Sequence, residues 1–241
     1  MRFLVDENTG PTVARWLAEQ GRNPMLSHPD LIYTHFAPTY EQMVKRMPNW
    51  QAWIGSVLPH VQGPRVLDVS CGTGYLLTHF ASQFEAYGVD LNPSMIALAH
   101  QNLAAHNLQA PLQRADAHHL PYRAETFNTV INTMAFNGYP DCLRALREMH
   151  RVLQPGGRLL IVDVNPPADA NPVGTAFARK WETRINPELK MGSLFEQVGF
   201  AYEDRDVGGF GSVHLYLAMK TKSSLGAGFL DTDSTDDTEN L

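Results

Sequence analysis

Two acids, each near the end of a short apolar run, are the residues of this chain best suited to chemistry. Asp68 stands in the run at 66–69 and precedes a turn that contains Gly72 and Gly74, and Asp90 comes 22 residues after Asp68. Because a carboxylate repels phosphate, an acid placed before the glycines suits a ligand with an ammonium group better than a pyrophosphate. The glycines let a ligand approach the backbone closely.

The pattern of apolar residues predicts the elements that would position these acids. The run at 66–69 predicts a buried strand, and residues 75–83 predict a helix whose first N–H groups would face a ligand. This order is typical of a doubly wound α/β fold that receives the polar end of a nucleotide-like cofactor. The dinucleotide fingerprint has a third glycine where Leu77 stands, which disfavours a nucleotide-dependent oxidoreductase.

Residues 66–74 resemble motif I of the class I S-adenosylmethionine-dependent methyltransferases, which usually has glycine where this chain has Ser70. Serine is small, and we expect it to keep the turn. Residues 153–162 add the signature Leu-x-Pro-Gly-Gly followed by an apolar strand. The resemblance covers roughly residues 33–220 and is strongest to the ubiquinone/menaquinone-biosynthesis and secondary-metabolite branch.

The resemblance implies S-adenosyl-L-methionine as the cofactor. Asp68 would meet the methionine ammonium, directly or through water, and Asp90 would accept both ribose hydroxyls. Asp116 and the backbone N–H of Ala117 would bind the adenine. The remaining residues that the resemblance assigns to the cofactor lie in the lid segment, in the motif I turn and after the second and fourth strands: Tyr33, Ser70, Cys71, Gly72, Thr73, Gly74, Leu91, Met95 and Asn132.

The methyl acceptor is predicted to be a small molecule that reacts through an O, N or C atom. Residues 33–40 resemble a lid segment of many small-molecule methyltransferases, and residues 132–139 should follow the fourth strand, where open α/β sheets bind ligands. The residues assigned to the acceptor are His35, Tyr40, Asn137 and Tyr139. The candidates for a general base are His35, Tyr40, His118 and His214. The sequence does not choose among them, and alignment without a base is the alternative, so no catalytic residue is assigned.

The predicted fold is one α/β domain, a Rossmann-like doubly wound seven-stranded sheet with a C-terminal antiparallel β-hairpin. We expect an N-terminal extension and helical lid at 1–62, the cofactor-binding domain at 63–220, and an acidic, disordered tail at 221–241. Strands are predicted at 66–69, 86–90, 112–115, 127–131, 159–162, 200–207 and 213–220. Helices are predicted at 39–47, 49–57, 75–83, 93–105, 141–152, 173–184 and 189–198.

The charge and composition restrict the partners and the location. The net charge of the 241 residues is −6, and the acidic tail carries most of it, so no broad basic field predicts nucleic acid binding. No apolar run approaches a membrane span, and the N-terminus lacks the apolar core of a secretory signal, so a cytoplasmic location is expected. Cys71 and Cys142 form no disulfide framework, and the adjacent His118 and His119 lack a third ligand at usable spacing, so we predict no metal.

Three weaker interpretations remain. Residues 1–22 resemble the start of a PIN-like nuclease with Asp6 as its metal-binding acid, but the other acids of such a domain are not recognisable. The run at 165–168 resembles an Asn-Pro-Pro-Tyr motif of other methyltransferases, yet it follows the fifth strand and ends in alanine, so we interpret it as a turn. A non-catalytic S-adenosylmethionine-binding regulatory or scaffold protein is the alternative function, which Ser70 and Asn128 permit. The oligomeric state is not predicted.

Overall fold

The computed structural model describes residues 46–181 and 190–221. Within them, seven strands form one sheet: β1 (Arg65–Val69), β2 (Glu85–Asp90), β3 (Leu112–Arg114), β4 (Phe127–Thr133), β5 (Leu153–Val164), β6 (Phe200–Gly208) and β7 (Val213–Lys220). Their order is β3-β2-β1-β4-β5-β7-β6. The first five strands pair in parallel, and β7 runs antiparallel to both β5 and β6. The predicted doubly wound sheet with a C-terminal hairpin is confirmed.

Helices cover both faces of this sheet. The described helices are α1 (Pro48–Gly55), α2 (Leu77–Phe80), α3 (Pro93–Ala105), α4 (Cys142–Val152), α5 (Pro172–Trp181) and α6 (Met191–Val198), with 3-10 turns at Leu58–His60 and Phe136–Gly138. Leu67 and Val69 of β1 pack in the apolar cluster that α4 and α6 cover, whereas Val66 packs in the cluster covered by α1, α2, α3 and α5. Central strands that are buried on both faces account for the continuous apolar runs in the sequence.

Local side-chain chemistry sets several of the helix ends. Asn92 caps α3, because its Oδ1 accepts the amides of Ser94 (2.8 Å) and Met95 (3.3 Å). Asp141 caps α4 by accepting the Arg144 amide at 2.9 Å. Gly199 ends α6 in the left-handed conformation with φ 90°. These three ends agree with the predicted helices.

The helix predicted at 75–83 is wrong in extent, since α2 is the single turn Leu77–Phe80. The residues before it form a turn in which the Gly74 amide donates to the Cys71 carbonyl at 2.9 Å. The Thr78 hydroxyl donates to the Tyr75 carbonyl at 2.7 Å, and the His79 amide donates to the Leu76 carbonyl at 2.9 Å with the spacing of a 3-10 turn. The site therefore depends on the turn rather than on a helix N-terminus.

Two strand boundaries also differ from the prediction. β4 extends to Thr133, so Asn132 lies in the strand and not in the loop after it. β5 begins at Leu153, so the predicted Pro-Gly-Gly turn lies inside the strand as an irregularity where the β4–β5 register shifts. Gly156 has φ 78° in this stretch, which glycine adopts without strain.

Helix α1 and the residues that follow it pack against the sheet. Trp50, Ile54 and Val57 are buried. The ring of Trp53 meets Phe177 of α5 edge-on, with 5.9 Å between centroids. Residues 1–45, 182–189 and 222–241 lie outside the described residues. The predictions for Tyr33, His35 and Tyr40, for the PIN-like segment and for the tail therefore concern residues outside the described part of the chain.

Candidate cofactor-binding cleft

A cleft opens at the carboxyl end of β1, with about 390 Å³ of free space, part of which is open to solvent. Its floor is formed by Asp68 and the motif I turn at 70–73, and Trp50 and Ile54 of α1 form an apolar wall. Thr133 lines it from the end of β4. This is the edge at which parallel α/β sheets bind ligands.

The motif I turn contains three residues in the left-handed region, Ser70, Gly72 and Gly74, with φ values of 59°, 54° and 75°. A Cβ on Gly72 would meet nothing within 4 Å, so this part of the backbone faces free space that a ligand can use. A Cβ on Gly74 would lie 3.0 Å from that of Ala99, so this glycine also lets α3 pack closely against the turn. Ser70 is not a glycine, yet it adopts a backbone conformation that L-residues rarely take.

Neighbouring elements hold the turn in place. The Cys71 amide donates to the Val89 carbonyl at 3.0 Å, which extends the pairing of β1 with β2. On the other side, Asn102 Nδ2 of α3 donates to the Thr73 carbonyl at 2.9 Å. Burial raises the pKa of the Cys71 thiol, so that side chain stays neutral. The turn is thus shaped by the protein itself before any ligand binds.

Asp68 is the most unusual group in the cleft. Its side chain is 2% exposed, and its Oδ1 has no hydrogen-bond partner among the described residues. Burial, and next the charge of Asp90, raise the pKa of Asp68 well above its usual value. A buried carboxylate without a partner is destabilising, and a cationic group placed beside it would remove that penalty. The position therefore fits the ammonium group that the sequence predicts for its ligand.

Asp90, the last residue of β2, fixes the motif I turn and lies at the same end of the sheet as Asp68. Its Oδ2 accepts the Gly72 amide at 2.8 Å, and its Oδ1 accepts the Asn92 amide at 2.9 Å. Burial raises the pKa of Asp90, and these two amide bonds oppose the rise. Each oxygen has a second lone pair, so the carboxylate can still accept two ribose hydroxyls.

A chain of side-chain hydrogen bonds joins the motif I turn to β4 and the loop after it. Asn132, fully buried, donates through Nδ2 to the Val69 carbonyl and to the Tyr139 hydroxyl, at 2.8 Å each. The Tyr139 hydroxyl in turn lies 2.7 Å from Ser70 Oγ. Burial raises the pKa of Tyr139 far above its usual range, so the phenol keeps its proton. Sequence reasoning placed Tyr139 beside the acceptor and did not find this bond.

The residues predicted for the adenine lie along the neighbouring strands. Leu91, directly after β2, is 40% exposed, whereas Met95 is buried in α3. Asp116 follows β3 and is exposed, and its Oδ1 accepts the His118 amide at 2.9 Å and lies 2.6 Å from the His118 ring. Burial opposes its ionisation, but the bonds to His118 prevail and lower the pKa of Asp116. Ala117 is buried beside it.

Asn137 is directed toward β5. It is 6% exposed, its backbone amide donates to Asp163 Oδ2 at 2.9 Å, and its side chain donates to the Val164 carbonyl at 2.5 Å. These bonds anchor the loop after β4 to the end of β5. The contact with a methyl acceptor that the sequence assigns to Asn137 stays a prediction.

The described histidines do not line the cleft. The ring of His118 meets Tyr139 edge-on at 5.5 Å, and His119 contacts Arg144. His214 is buried in β7 with Nδ1 2.8 Å from Asp204 Oδ1. Within the described residues, no three potential metal ligands cluster together, and no helix is long and apolar enough to cross a membrane.

Known proteins share this sequence pattern and this fold. Residues 66–157 match a family model described as a methyltransferase domain. A demethylmenaquinone methyltransferase of Deinococcus radiodurans is 41% identical over 107 residues, which cover 43% of this chain and 44% of that protein. The enzyme of the same name from Thermus thermophilus is 31% identical over 56% of this chain and 66% of its own length. A phthiotriol/phenolphthiotriol dimycocerosates methyltransferase of Mycobacterium leprae is 38% identical over 51% of this chain and 43% of its own length.

Solved structures give the same result for the fold. A putative S-adenosyl-L-methionine-dependent methyltransferase of Methanococcus maripaludis superposes with a TM-score of 0.65 at 19% identity, over 83% of this chain and 99% of that one. A SAM-dependent methyltransferase of Thermotoga maritima, described as a possible histamine N-methyltransferase, superposes with a TM-score of 0.62 at 17% identity. The superposition covers 80% of this chain and 100% of that one.

The sheet order, the hairpin and these superpositions define the Rossmann-like class I methyltransferase fold. The family match at 66–157, to a model described as a methyltransferase domain, falls within this fold. Three of the matched curated relatives align over 44% to 66% of their own lengths.

Proposed function

We propose that this chain transfers the methyl group of S-adenosylmethionine to a nucleophilic atom of a small molecule. The observation that carries the proposal is the unpartnered oxygen of buried Asp68, which lies in a cleft beside a left-handed, glycine-bearing turn. A carboxylate in that position is suited to the ammonium group of the methionine part. The family match of residues 66–157 supports the same conclusion.

Each cofactor group has a proposed partner in this chain. Asp68 binds the ammonium, and the backbone amides of residues 70–74 face the methionine end. Asp90 accepts the ribose hydroxyls, and Asp116 with the amide of Ala117 binds the adenine. Leu91 and Met95 flank the adenine ring. The residue roles rest on the resemblance, and the positions of Asp68 and Asp90 at adjacent strand ends support them.

The bound cofactor supplies an electrophilic methyl group on a sulfonium. The protein's part is to hold the acceptor in line with the C–S bond and to exclude water. Trp50, Ile54 and Leu76 line the cleft with apolar surface, which suits water exclusion. We propose that α1 belongs to a lid within residues 1–62.

We infer that the acceptor is a quinol, a phenol or an amine. Demethylmenaquinone methyltransferases of several bacteria are among the relatives, and their names support the quinol class first. We further infer a cytoplasmic protein with no nucleic acid partner, which the near-neutral body of the chain supports.

The test is an acceptor screen with methyl-labelled S-adenosylmethionine. Reduced demethylquinones, phenols and amines are each incubated with the wild-type chain and with Asp68→Asn as the control. We expect S-adenosylhomocysteine and a labelled product to form only with an acceptor and only with the wild type. Cofactor binding without transfer to any acceptor would favour the non-catalytic binding protein, and no cofactor binding would refute the proposal.

A further inference from the structure

The hydrogen-bond chain from Asn132 through Tyr139 to Ser70 has a direction. Asn132 Nδ2 can only donate, so the Tyr139 hydroxyl accepts that bond. Tyr139 and Ser70 share one further hydrogen bond of 2.7 Å, and each hydroxyl has one proton. One of these two protons is therefore left over for another acceptor.

The remaining proton belongs to Ser70. A phenol is a stronger acid than an aliphatic alcohol, so it is the better donor, and Tyr139 donates to Ser70. The Tyr139 hydroxyl lies between Asn132 and Ser70, whereas Ser70 itself lines the cleft. Among the described residues, Tyr139 is the hydrogen-bond partner of Ser70 Oγ. The Ser70 hydroxyl is thus oriented and has a free donor at the ligand side.

The backbone at Ser70 gives an independent reason to examine this side chain. Its φ of 59° is one that glycine adopts freely and serine adopts only with strain. The bond to Tyr139 offsets part of that strain, and a glycine at this position would give up the donor.

We propose that the Ser70 hydroxyl, oriented by Tyr139, donates a hydrogen bond to the carboxylate of the methionine part of S-adenosylmethionine, and that Tyr139 is a positioning residue for this donor. Asp68 lies in the same cleft and takes the ammonium, so the two side chains together recognise the two charges of an α-amino acid. The Ser70 donor supplies an attraction for the carboxylate, which the negative charges of Asp68 and Asp90 would otherwise repel. This inference rests on the proposed function.

The experiment compares two ligands that differ only in the carboxylate: S-adenosylmethionine and its decarboxylated form. Affinities are measured by calorimetry for the wild type, Ser70→Gly, Tyr139→Phe and the double variant. We expect Ser70→Gly to weaken S-adenosylmethionine binding about 10-fold, which is the size of a hydrogen bond to a charged group. Binding of the decarboxylated ligand should weaken less than about 2-fold. Tyr139→Phe should lower the affinity for S-adenosylmethionine when Ser70 is present. It should have no further effect on that affinity in the Ser70→Gly variant.

Asp68→Asn serves as the contrasting variant, since it should weaken both ligands. Thermal unfolding of Ser70→Gly checks the fold, and its melting temperature should stay near that of the wild type, because the strain relieved at φ 59° offsets the lost bond to Tyr139. Equal losses for the two ligands, or additive losses in the double variant, would overturn the inference. If the wild type binds neither ligand, the proposed function itself fails, which separates the two conclusions.

Discussion

Asp68 and Asp163 are both buried acids near the carboxyl ends of parallel strands, with exposures of 2% and 3%, but their surroundings differ. Asp163 accepts the amide of Asn137 through Oδ2 and that of Val164 through Oδ1. Asp68 Oδ1 has no partner among the described residues. Burial raises the pKa of both carboxyls, that of Asp163 to about 6. The acid of β5 therefore holds a loop, whereas, within the described part of the chain, the acid of β1 keeps one oxygen unpaired beside the cleft.

The largest expected effect comes from Asp68→Asn. Removing the charge that faces the ammonium should weaken S-adenosylmethionine binding by about 3 kcal/mol, or roughly 150-fold, measured by calorimetric titration. The melting temperature should not fall, because a buried carboxylate without a partner is removed.

Asp163→Asn is the matched control for that variant. Its affinity for S-adenosylmethionine should fall much less than that of Asp68→Asn, since the bonds of Asp163 go to the protein backbone and its substitution acts on the ligand only through the loop after β4. Equal losses of affinity in Asp68→Asn and Asp163→Asn would remove the distinction between the two acids.

Asp90→Ala tests an acid of intermediate character, because its oxygens are bonded to backbone amides and also face the ligand edge. We expect cofactor affinity to fall by about 2–3 kcal/mol, since two ribose hydroxyls would lose their acceptor. Unchanged affinity in a titration would refute the ribose assignment. Asp116→Ala should have a smaller effect, as Asp116 is exposed.

A further effect concerns pH and the stability of the free protein. A carboxyl whose pKa is raised on folding stabilises the folded state while protonated, and this contribution is lost as pH rises through the folded pKa. For Asp163 the free energy of unfolding should therefore fall between about pH 4 and pH 6, by at most about 1.4 kcal/mol per pH unit. In Asp163→Asn, the free energy of unfolding, measured by denaturant titrations at several pH values, should fall less steeply with pH than in the wild type. An unchanged dependence on pH would contradict the raised pKa of Asp163.

Much of the fold was predictable because it depends on local patterns. The apolar run of β1, the caps Asn92 and Asp141, and Gly199 at the end of α6 all act within a few residues of the chain. The helix at 75–83 was wrong in extent because turns flank the short α2, and the apolar pattern does not represent them.

The cleft was only partly predictable. Asp68 and Asp90 were predicted at the carboxyl ends of adjacent strands because each lies near the end of an apolar run. The bond between Ser70 and Tyr139 joins residues 69 positions apart, and no spacing pattern indicates it. The one signal in the sequence is Ser70 itself, which stands where motif I usually has glycine and where the structure has a φ that favours glycine.

The most direct measurement is a calorimetric titration of the wild-type chain with S-adenosylmethionine and, separately, with NAD and NADP. An acid placed before the glycines should accept an ammonium and repel a pyrophosphate, so we predict micromolar binding of S-adenosylmethionine and none of the two dinucleotides. Binding of a dinucleotide with equal affinity, or no binding of S-adenosylmethionine, would contradict the role of Asp68 and the function built on it.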